Sequence, residues 1–397
     1  MKDFSEALAL VLDGLAPLES ERVSLNAAVG RVLTADARAV IDLPPFDRTA
    51  MDGYAVRAGD VWPGAALRVL GDLAAGGAEG IALGPGTAAR ISTGAAIPPG
   101  ADAVLRVEDT DGGEGVVNAT ASVEPGQHIR RRAEDVSAGD VLARPGDVLT
   151  VPRLSALASA GIGFVDVPRA PRVDLIVTGS ELLPPGAPPE PGKIYESNSL
   201  AVGAMVEAAG ARLVHHPSVI DDFEATRGAV EAGLEGDILI VSGGVSVGPH
   251  DHVKPAFEAC GVEEVLWRVQ IKPGKPMWAG RRGSTLVFGL PGNPLSSIVC
   301  FCVFIDPALR RLQGERDARP RIVRGRLAAP AEASDGRTTF LTAAIRRAED
   351  GVLEAVPTER QGSHMTGALG ESDGFAIAPH DGPELRAGDP VDLLLLA

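Results

Sequence analysis

Three short apolar runs in the second half of the chain each end in a loop of small residues that carries polar or acidic side chains. They read Val173-Asp-Leu-Ile-Val-Thr-Gly-Ser-Glu181, Asp237-Ile-Leu-Ile-Val-Ser-Gly-Gly-Val-Ser-Val-Gly-Pro-His-Asp251 and Thr285-Leu-Val-Phe-Gly-Leu-Pro-Gly-Asn-Pro294. An apolar run of this length bounded by turn residues suits a buried strand. Glycine lets the following loop take positive φ and approach a ligand closely. Open parallel sheets bind ligands beyond the carboxyl ends of their strands. Three such loops in one domain predict one site for a small phosphorylated molecule.

Around these runs the pattern alternates. Strands are expected near 173–178, 237–242 and 285–289. Helices are expected near 198–209, 222–234 and 252–260, and from Ser296 to Leu312. Alternation of this kind predicts a parallel α/β sheet over residues 170–316. Upstream, Phe4, Leu8, Val11, Leu12 and Leu15 recur at helical spacing, and residues 43–133 turn to short β-like runs between Gly and Pro. Residues 317–397 again read as short strands, for which a barrel or sandwich is expected. A chain of 397 residues suits two to four such domains.

Charge narrows the function. The formal net charge is −16, which disfavours a nucleic-acid partner because phosphate contacts need a basic face. An acidic protein that binds an anion must concentrate positive charge locally or use a metal. No apolar stretch reaches the ~20 residues that span a bilayer. The start, Met1-Lys-Asp-Phe-Ser-Glu-Ala, carries acids where a signal peptide is basic. Cys260, Cys300 and Cys302 form no disulfide or zinc spacing, which fits a reducing cytoplasm.

Four strings can carry chemistry. Ser242, Gly243, Gly244, Ser246 and Gly248 lie in a loop of successive N–H groups, an anion-binding arrangement. Asp251 then stands where Asp is favoured as a helix N-cap, and also where a carboxylate can hold Mg²⁺ beside substrate phosphates; both roles are open to it. Glu181 sits at a neighbouring strand end. Arg268, Lys272 and Lys275 flank a stiff Pro-Gly turn that can present ammonium groups to an oxyanion. Ser296 and Ser297 follow the Pro-Gly-Asn-Pro loop, where one of them is expected to cap a helix. Far upstream, Phe46-Asp-Arg-Thr-Ala-Met-Asp-Gly-Tyr-Ala-Val56 is dense in unusual residues, although Asp52-Gly53 alone fits a hairpin turn. Ser92-Thr93-Gly94 fits an ordinary turn. His250-Asp251-His252 lacks zinc-ligand spacing, and Cys300 and Cys302 read as core residues.

Taken in order, the Phe46–Val56, Ser242–Gly248, Ile271–Pro276 and Gly289–Pro294 strings resemble the molybdopterin molybdenumtransferases of the MoeA family, which includes the gephyrin E domain. The resemblance covers nearly the whole chain. It implies a linker domain (1–42 with 134–169), a β-rich domain (43–133), an α/β domain similar to molybdopterin adenylyltransferases (170–316) and a C-terminal β-barrel (317–397). It further implies a cytoplasmic homodimer whose cleft draws on both subunits. The implied reaction takes adenylylated molybdopterin and molybdate, depends on Mg²⁺ and releases AMP. The resemblance places catalytic acids at Asp52, Glu181, Asp221 and Asp251, with Glu181 and Asp251 as metal ligands. It places substrate contacts at Thr93, Asp135, Ser242, Gly243, Gly244, Ser246, Gly248, Arg268, Lys272, Lys275, Ser296 and Ser363. Molybdopterin adenylyltransferase and molybdoenzyme maturation proteins are the further partners expected.

Two positions depart from the family pattern. Thr342 stands where an Arg is usual after Gly336-Arg-Thr-Thr-Phe340, leaving Arg337 and Arg346 as alternatives. His364 follows Ser363 where a small residue is common. Two other functions remain open: adenylyl transfer, because the α/β domain resembles such enzymes, and a non-catalytic pterin-binding scaffold.

Overall fold

The computed structural model describes residues 1–77, 80–245, 251–332, 336–380 and 385–396. One of its two six-stranded sheets has the strand order Arg212–His215, Arg172–Val177, Ile238–Ser242, Thr285–Leu290, Trp278–Arg282, Glu263–Trp267. The first four strands are parallel, as the alternation predicts. The last two add antiparallel pairs; they are charged and interrupted by Trp and Gly, so the apolar-run criterion passes over them. Every residue of Ile238–Ser242 and Thr285–Leu290 is buried, because helices cover both faces of a parallel sheet.

Alternate residues feed two cores. Val173, Leu175, Ile238 and Ile240 join a cluster with Val202, Val206 and Leu295. Ile176, Leu239 and Val241 join Val230, Val253 and Phe257 on the other face, as the two-residue side-chain period of a strand requires. The helix expected from Ser296 to Leu312 is instead Pro294–Cys300, a π-turn at Phe301–Ile305, then Asp306–Leu312. Pro307 accounts for the break: it has no N–H for the i→i−4 ladder, and a widened turn just before it absorbs the loss.

The N-terminal helix Phe4–Leu12 packs away from the rest of residues 1–42. Its Ala7, Leu8 and Val11 enter the α/β core, and Phe4 meets Phe304 at 6.0 Å and Phe340 at 6.1 Å, edge to face. Its apolar stripe finds cover there rather than in the small linker core of Leu25, Leu149, Leu157 and Val167. The linker is closed by Ser20–Ser24 pairing with Phe164–Pro168. Residues 43–133 contain a five-stranded sheet. The C-terminal strands Ile322–Leu327, Thr338–Arg347, Leu353–Pro357, Gly374–Ala378 and Pro390–Leu395 close into a barrel through the pairing of Thr338–Arg347 with Gly374–Ala378.

Candidate functional site

The parallel strands that end at Val177, Ser242 and Leu290 open on a cavity of about 490 Å³. Its wall includes Glu181, Asp221, Ser242, Gly243, Gly244 and Asp251, so residues separated by 70 positions meet at one sheet edge. Gly243 has φ +102, and a Cβ there would lie 2.5 Å from the Thr178 carbonyl oxygen. Gly244 has φ +62, and its Cβ would lie 2.8 Å from Val253. Both positions combine left-handed backbone with close packing, which only glycine meets without strain. Ser246, Gly248 and His250 lie outside the described residues.

The Glu181 loop is held by a reciprocal clasp. The Ser180 N–H donates to Asp221 Oδ2 at 2.9 Å, and the Asp221 N–H donates to Ser180 Oγ at 2.9 Å. Asp221 thus fixes the backbone next to Glu181 and lines the same cavity. The helix after Asp251 runs over Val253–Ala259 with His252 at its N-cap position.

Sequence reasoning missed the floor of this cavity. Asn198 is buried. Its Nδ2 donates to Ser242 Oγ at 2.9 Å and to the Gly292 carbonyl at 2.9 Å, which ties two of the three strand-end loops together. Ser242 is itself wholly buried, so its hydroxyl serves this tie. Glu196, also buried and in the wall, accepts the Ser199 N–H at 2.7 Å and so caps the Asn198–Ala208 helix. The Glu-Ser-Asn-Ser run before an apolar helical stretch is the signal that marks this start.

Of the basic residues, Lys272 lies on a different wall. Ile271–Lys272 pairs in parallel with the barrel strand Thr338–Arg347, so Lys272 lines a second cavity of about 450 Å³ with Thr339, Thr358 and Gln361. Pro276, at the other end of the same loop, lines the carboxylate cavity. The loop therefore runs between the two. Lys275 is exposed. Arg268 holds φ +64, uncommon for a residue with a side chain, and lies 4.3 Å over the Trp267 ring, which Lys254 also approaches at 3.2 Å. Among the described residues none of Arg268, Lys272 and Lys275 forms an ion pair, although acids outnumber Lys and Arg by 53 to 37.

Ser296 is buried and lies in neither wall; its N–H donates to the Asn293 carbonyl at 3.0 Å. The expected serine cap is not made. Asn293 takes the N-cap position, because Pro294 suits the first helical turn, and Ser297 Oγ donates to the Pro291 carbonyl at 2.7 Å. Asn293 Nδ2 also donates to Ser363 Oγ at 3.1 Å, joining the barrel to the cavity rim. Thr342 is fully buried and bonded to Thr358 Oγ1 at 2.7 Å and Gln361 Oε1 at 3.1 Å, so it offers nothing to an anion. Arg346 is occupied by Glu354 at 3.0 Å; Arg337 forms no ion pair among the described residues and lines neither cavity.

Asp52 and Thr93 meet in the β-rich module. Thr93 donates its N–H at 2.6 Å and its hydroxyl at 2.9 Å to Asp52 Oδ1. These two bonds, the backbone one first, hold the Asp52 carboxyl below its usual range. The Asp-Gly hairpin turn is not formed. Gly53 opens the strand Gly53–Val56, and a Cβ on it would lie 2.0 Å from the Leu105 carbonyl oxygen. Ser92-Thr93-Gly94 does form a turn, closed by Ala95 N–H to the Ser92 carbonyl at 3.0 Å, and the turn is what presents Thr93. Asp135 is exposed, with its N–H on the Leu43 carbonyl at 3.0 Å. Neither Asp52, Thr93 nor Asp135 lines the carboxylate cavity.

Among the described residues no group of three or more His, Cys, Asp or Glu is arranged to hold a metal alone. Glu181 and Asp251 are hard oxygen donors on one wall beside the Gly243–Gly244 turn. That donor set suits Mg²⁺, which takes one or two carboxylates together with substrate phosphates. Burial pushes the Cys302 thiol up to about 12 and Cys300 higher still, which makes both unreactive.

Three family models match consecutive parts of the chain: the MoeA N-terminal region (domain I and II) over residues 2–161, a probable molybdopterin binding domain over 174–311 and the MoeA C-terminal region (domain IV) over 324–396. The chain is 39% identical to molybdopterin molybdenumtransferase 2 of Mycobacterium tuberculosis (strain CDC 1551 / Oshkosh), covering 98% of each. It is 33% identical to the molybdopterin molybdenumtransferase of Haemophilus influenzae, covering 99% of this chain and 98% of the relative. Among solved structures it is similar to the molybdopterin biosynthesis MoeA protein of Pyrococcus horikosii, with a TM-score of 0.83 and 32% identity over 99% of this chain and 98% of that one.

Proposed function

The chain belongs to the MoeA family of molybdopterin molybdenumtransferases, and from that premise we propose that it inserts molybdenum from molybdate into adenylylated molybdopterin and releases AMP. It is a transferase of molybdenum cofactor biosynthesis. One observation carries the finer reading. Glu181, Asp221, Asp251 and the Gly243–Gly244 turn share one cavity, while Lys272, which forms no ion pair among the described residues, lies on the far side of the loop that borders it. Phosphates and an oxyanion can thus be held side by side without sharing a counter-charge.

Glu181 and Asp251 are the residues that would hold Mg²⁺. When bound, Mg²⁺ neutralises the phosphates and stabilises the leaving AMP. The Gly244 N–H binds a phosphate oxygen, while the Gly243 N–H is held by the Leu290 carbonyl at 3.0 Å and shapes the turn. Asp221 keeps Glu181 in place through Ser180. Lys272, Lys275 and Arg337 attract the molybdate dianion to the barrel side as point charges and a planar fork. A second copy of this chain brings Asp52, held by Thr93, and Asp135 to the cleft, which makes the working unit a homodimer. No helix among the described residues is long and apolar enough to cross a membrane, and we place the reaction in the cytoplasm, receiving substrate from molybdopterin adenylyltransferase and passing product to maturation proteins.

The test is AMP release from adenylylated molybdopterin by the purified chain with molybdate and Mg²⁺. Release that needs both supports the proposal. ATP-dependent formation of the adduct instead would make the chain an adenylyltransferase, and binding without turnover would make it a scaffold.

A further inference from the structure

The proline-rich segment Leu183–Gly192 is left unused by the phosphate and oxyanion chemistry, yet its return strand forms part of the carboxylate cavity. Ile194–Tyr195 pairs in parallel with Leu182–Leu183. Both residues line the cavity while keeping 58% and 48% of their surface exposed. Ligand cavities are lined mainly by hydrophobic and aromatic side chains with a few polar groups that fix orientation, and these two supply such a face. Tyr195 is also fixed: its Oη donates to the Ala187 carbonyl at 2.8 Å, so the proline-rich loop holds the ring from behind. A ring held in one orientation loses little freedom when a flat partner stacks on it.

We infer that Tyr195, flanked by Ile194, stacks against the flat nitrogen heteroaromatic ring of the bound substrate and so determines its orientation. The inference rests on the reading of this cavity as a phosphate site. Phosphate charge is met by the glycine turn and the carboxylate-held cation, and a ring carried on that phosphate needs an apolar wall. A cavity of about 490 Å³ accommodates a nucleotide-sized group. The ring is either the adenine or the pterin of the substrate, and the two are separated by experiment.

The full chain is titrated calorimetrically, with Mg²⁺, against AMP, ribose 5-phosphate and an unphosphorylated pterin. Tyr195→Leu is expected to weaken AMP or the pterin about tenfold, the order of a lost ring–ring stack, and to leave ribose 5-phosphate within about twofold. Tyr195→Phe keeps the ring face but not the Ala187 bond, and should stay within about threefold of wild type. Loss confined to AMP assigns adenine; loss confined to the pterin assigns that ring. The inference is overturned if Tyr195→Leu changes neither, or if it weakens ribose 5-phosphate as much as AMP, since Tyr195 would then only shape the loop. Wild-type binding of ribose 5-phosphate with no gain from either ring overturns the stacking alone. Wild-type binding of none of the three overturns the phosphate reading as well.

Discussion

Asp221 and Ser180 hold each other through two reciprocal hydrogen bonds, each 2.9 Å, one in each direction between backbone and side chain. The pair closes the turn between two strand ends and sets the backbone from which Glu181 extends. Asp221→Ala removes a charged acceptor and leaves the Ser180 N–H to water, while Ser180→Ala removes only a neutral acceptor. Hydrogen bonds to charged groups are worth about twice neutral ones. We therefore expect Asp221→Ala to lower kcat for AMP release more than Ser180→Ala, both with a Tm shift under about 2 °C because the clasp is exposed. Equal, full activity in both variants would remove Asp221 from the site.

The α/β half of the molecule was legible because its information is local. Ile238–Ser242 and Thr285–Leu290 are apolar throughout, and Asp251 and Glu181 stand at the ends of such runs. What escaped was whatever depends on contacts distant in sequence. Asn198 matters because it reaches Gly292, 94 residues away, and nothing in its neighbours states that. Trp278–Arg282 lies inside the sheet, between Thr285–Leu290 and Glu263–Trp267, and Trp278 is buried against Phe257, stacked at 4.6 Å; its composition alone does not mark a strand. The Asp52 string is unusual in composition, but nothing in it names a partner. Thr93 supplies the partner because Gly53 pairs with Ile91 on the neighbouring strand, which brings position 52 beside the turn that follows it.

Gly243 and Gly292 give a paired test of the glycine turn. Alanine at 243 meets the Thr178 carbonyl at 2.5 Å with φ +102, whereas a Cβ at 292 has only the Gly243 Cα at 3.8 Å as a neighbour. Gly243→Ala should cost about 2 kcal/mol or more in stability and abolish AMP release. Gly292→Ala should stay within about 1 kcal/mol. Urea unfolding of the two variants measures the difference; equal midpoints would mean the turn relaxes freely.

Asp52 titrates below the ordinary carboxylate range because Thr93 donates first its N–H and then its hydroxyl to one oxygen. A lowered folded-state pKa favours the ionised form, so the benefit is present above the unfolded value near 4 and fades as pH falls through the lowered pKa. Thr93→Val deletes the hydroxyl and keeps the N–H. The acidic limb of the pH–rate profile should then move to higher pH, and Thr93→Ser should restore it. A limb that stays in place in Thr93→Val shows that Asp52 ionisation does not govern turnover.

Arg169 joins two domains. Its guanidinium grips Asp237 with bonds of 2.6 and 2.7 Å and reaches Glu19 at 2.8 Å. Burial alone would raise the Asp237 carboxyl, but the Arg169 bonds and the Arg172 N–H outweigh it and the net direction is down. The stability this gives is present above about pH 4 and is lost as pH falls through the lowered value. Arg169→Met strands a carboxylate that is only 16% exposed; we expect a loss of about 2 kcal/mol at pH 7. The loss should shrink on acidification, when Asp237 protonates and no longer needs its partner. A pH-independent loss would assign the effect to packing of the Arg169 stem.

Thr342 tests whether the family arginine can simply be put back. Its side chain is fully buried beneath Gln361, whose Nε2 donates to the Thr342 carbonyl at 3.0 Å and whose Oε1 accepts the Thr342 N–H at 3.0 Å. A guanidinium at 342 must either stay in that layer without a counter-charge or push the 358–361 segment aside and break these bonds. Either course costs about 3 kcal/mol. Thr342→Arg should therefore lower Tm without tightening molybdate binding, whereas Arg337→Ala should weaken molybdate and leave Tm unchanged. The opposite pattern would show that the barrel still opens toward the anion at 342, and that Gln361 and Thr358 are a movable cover over it.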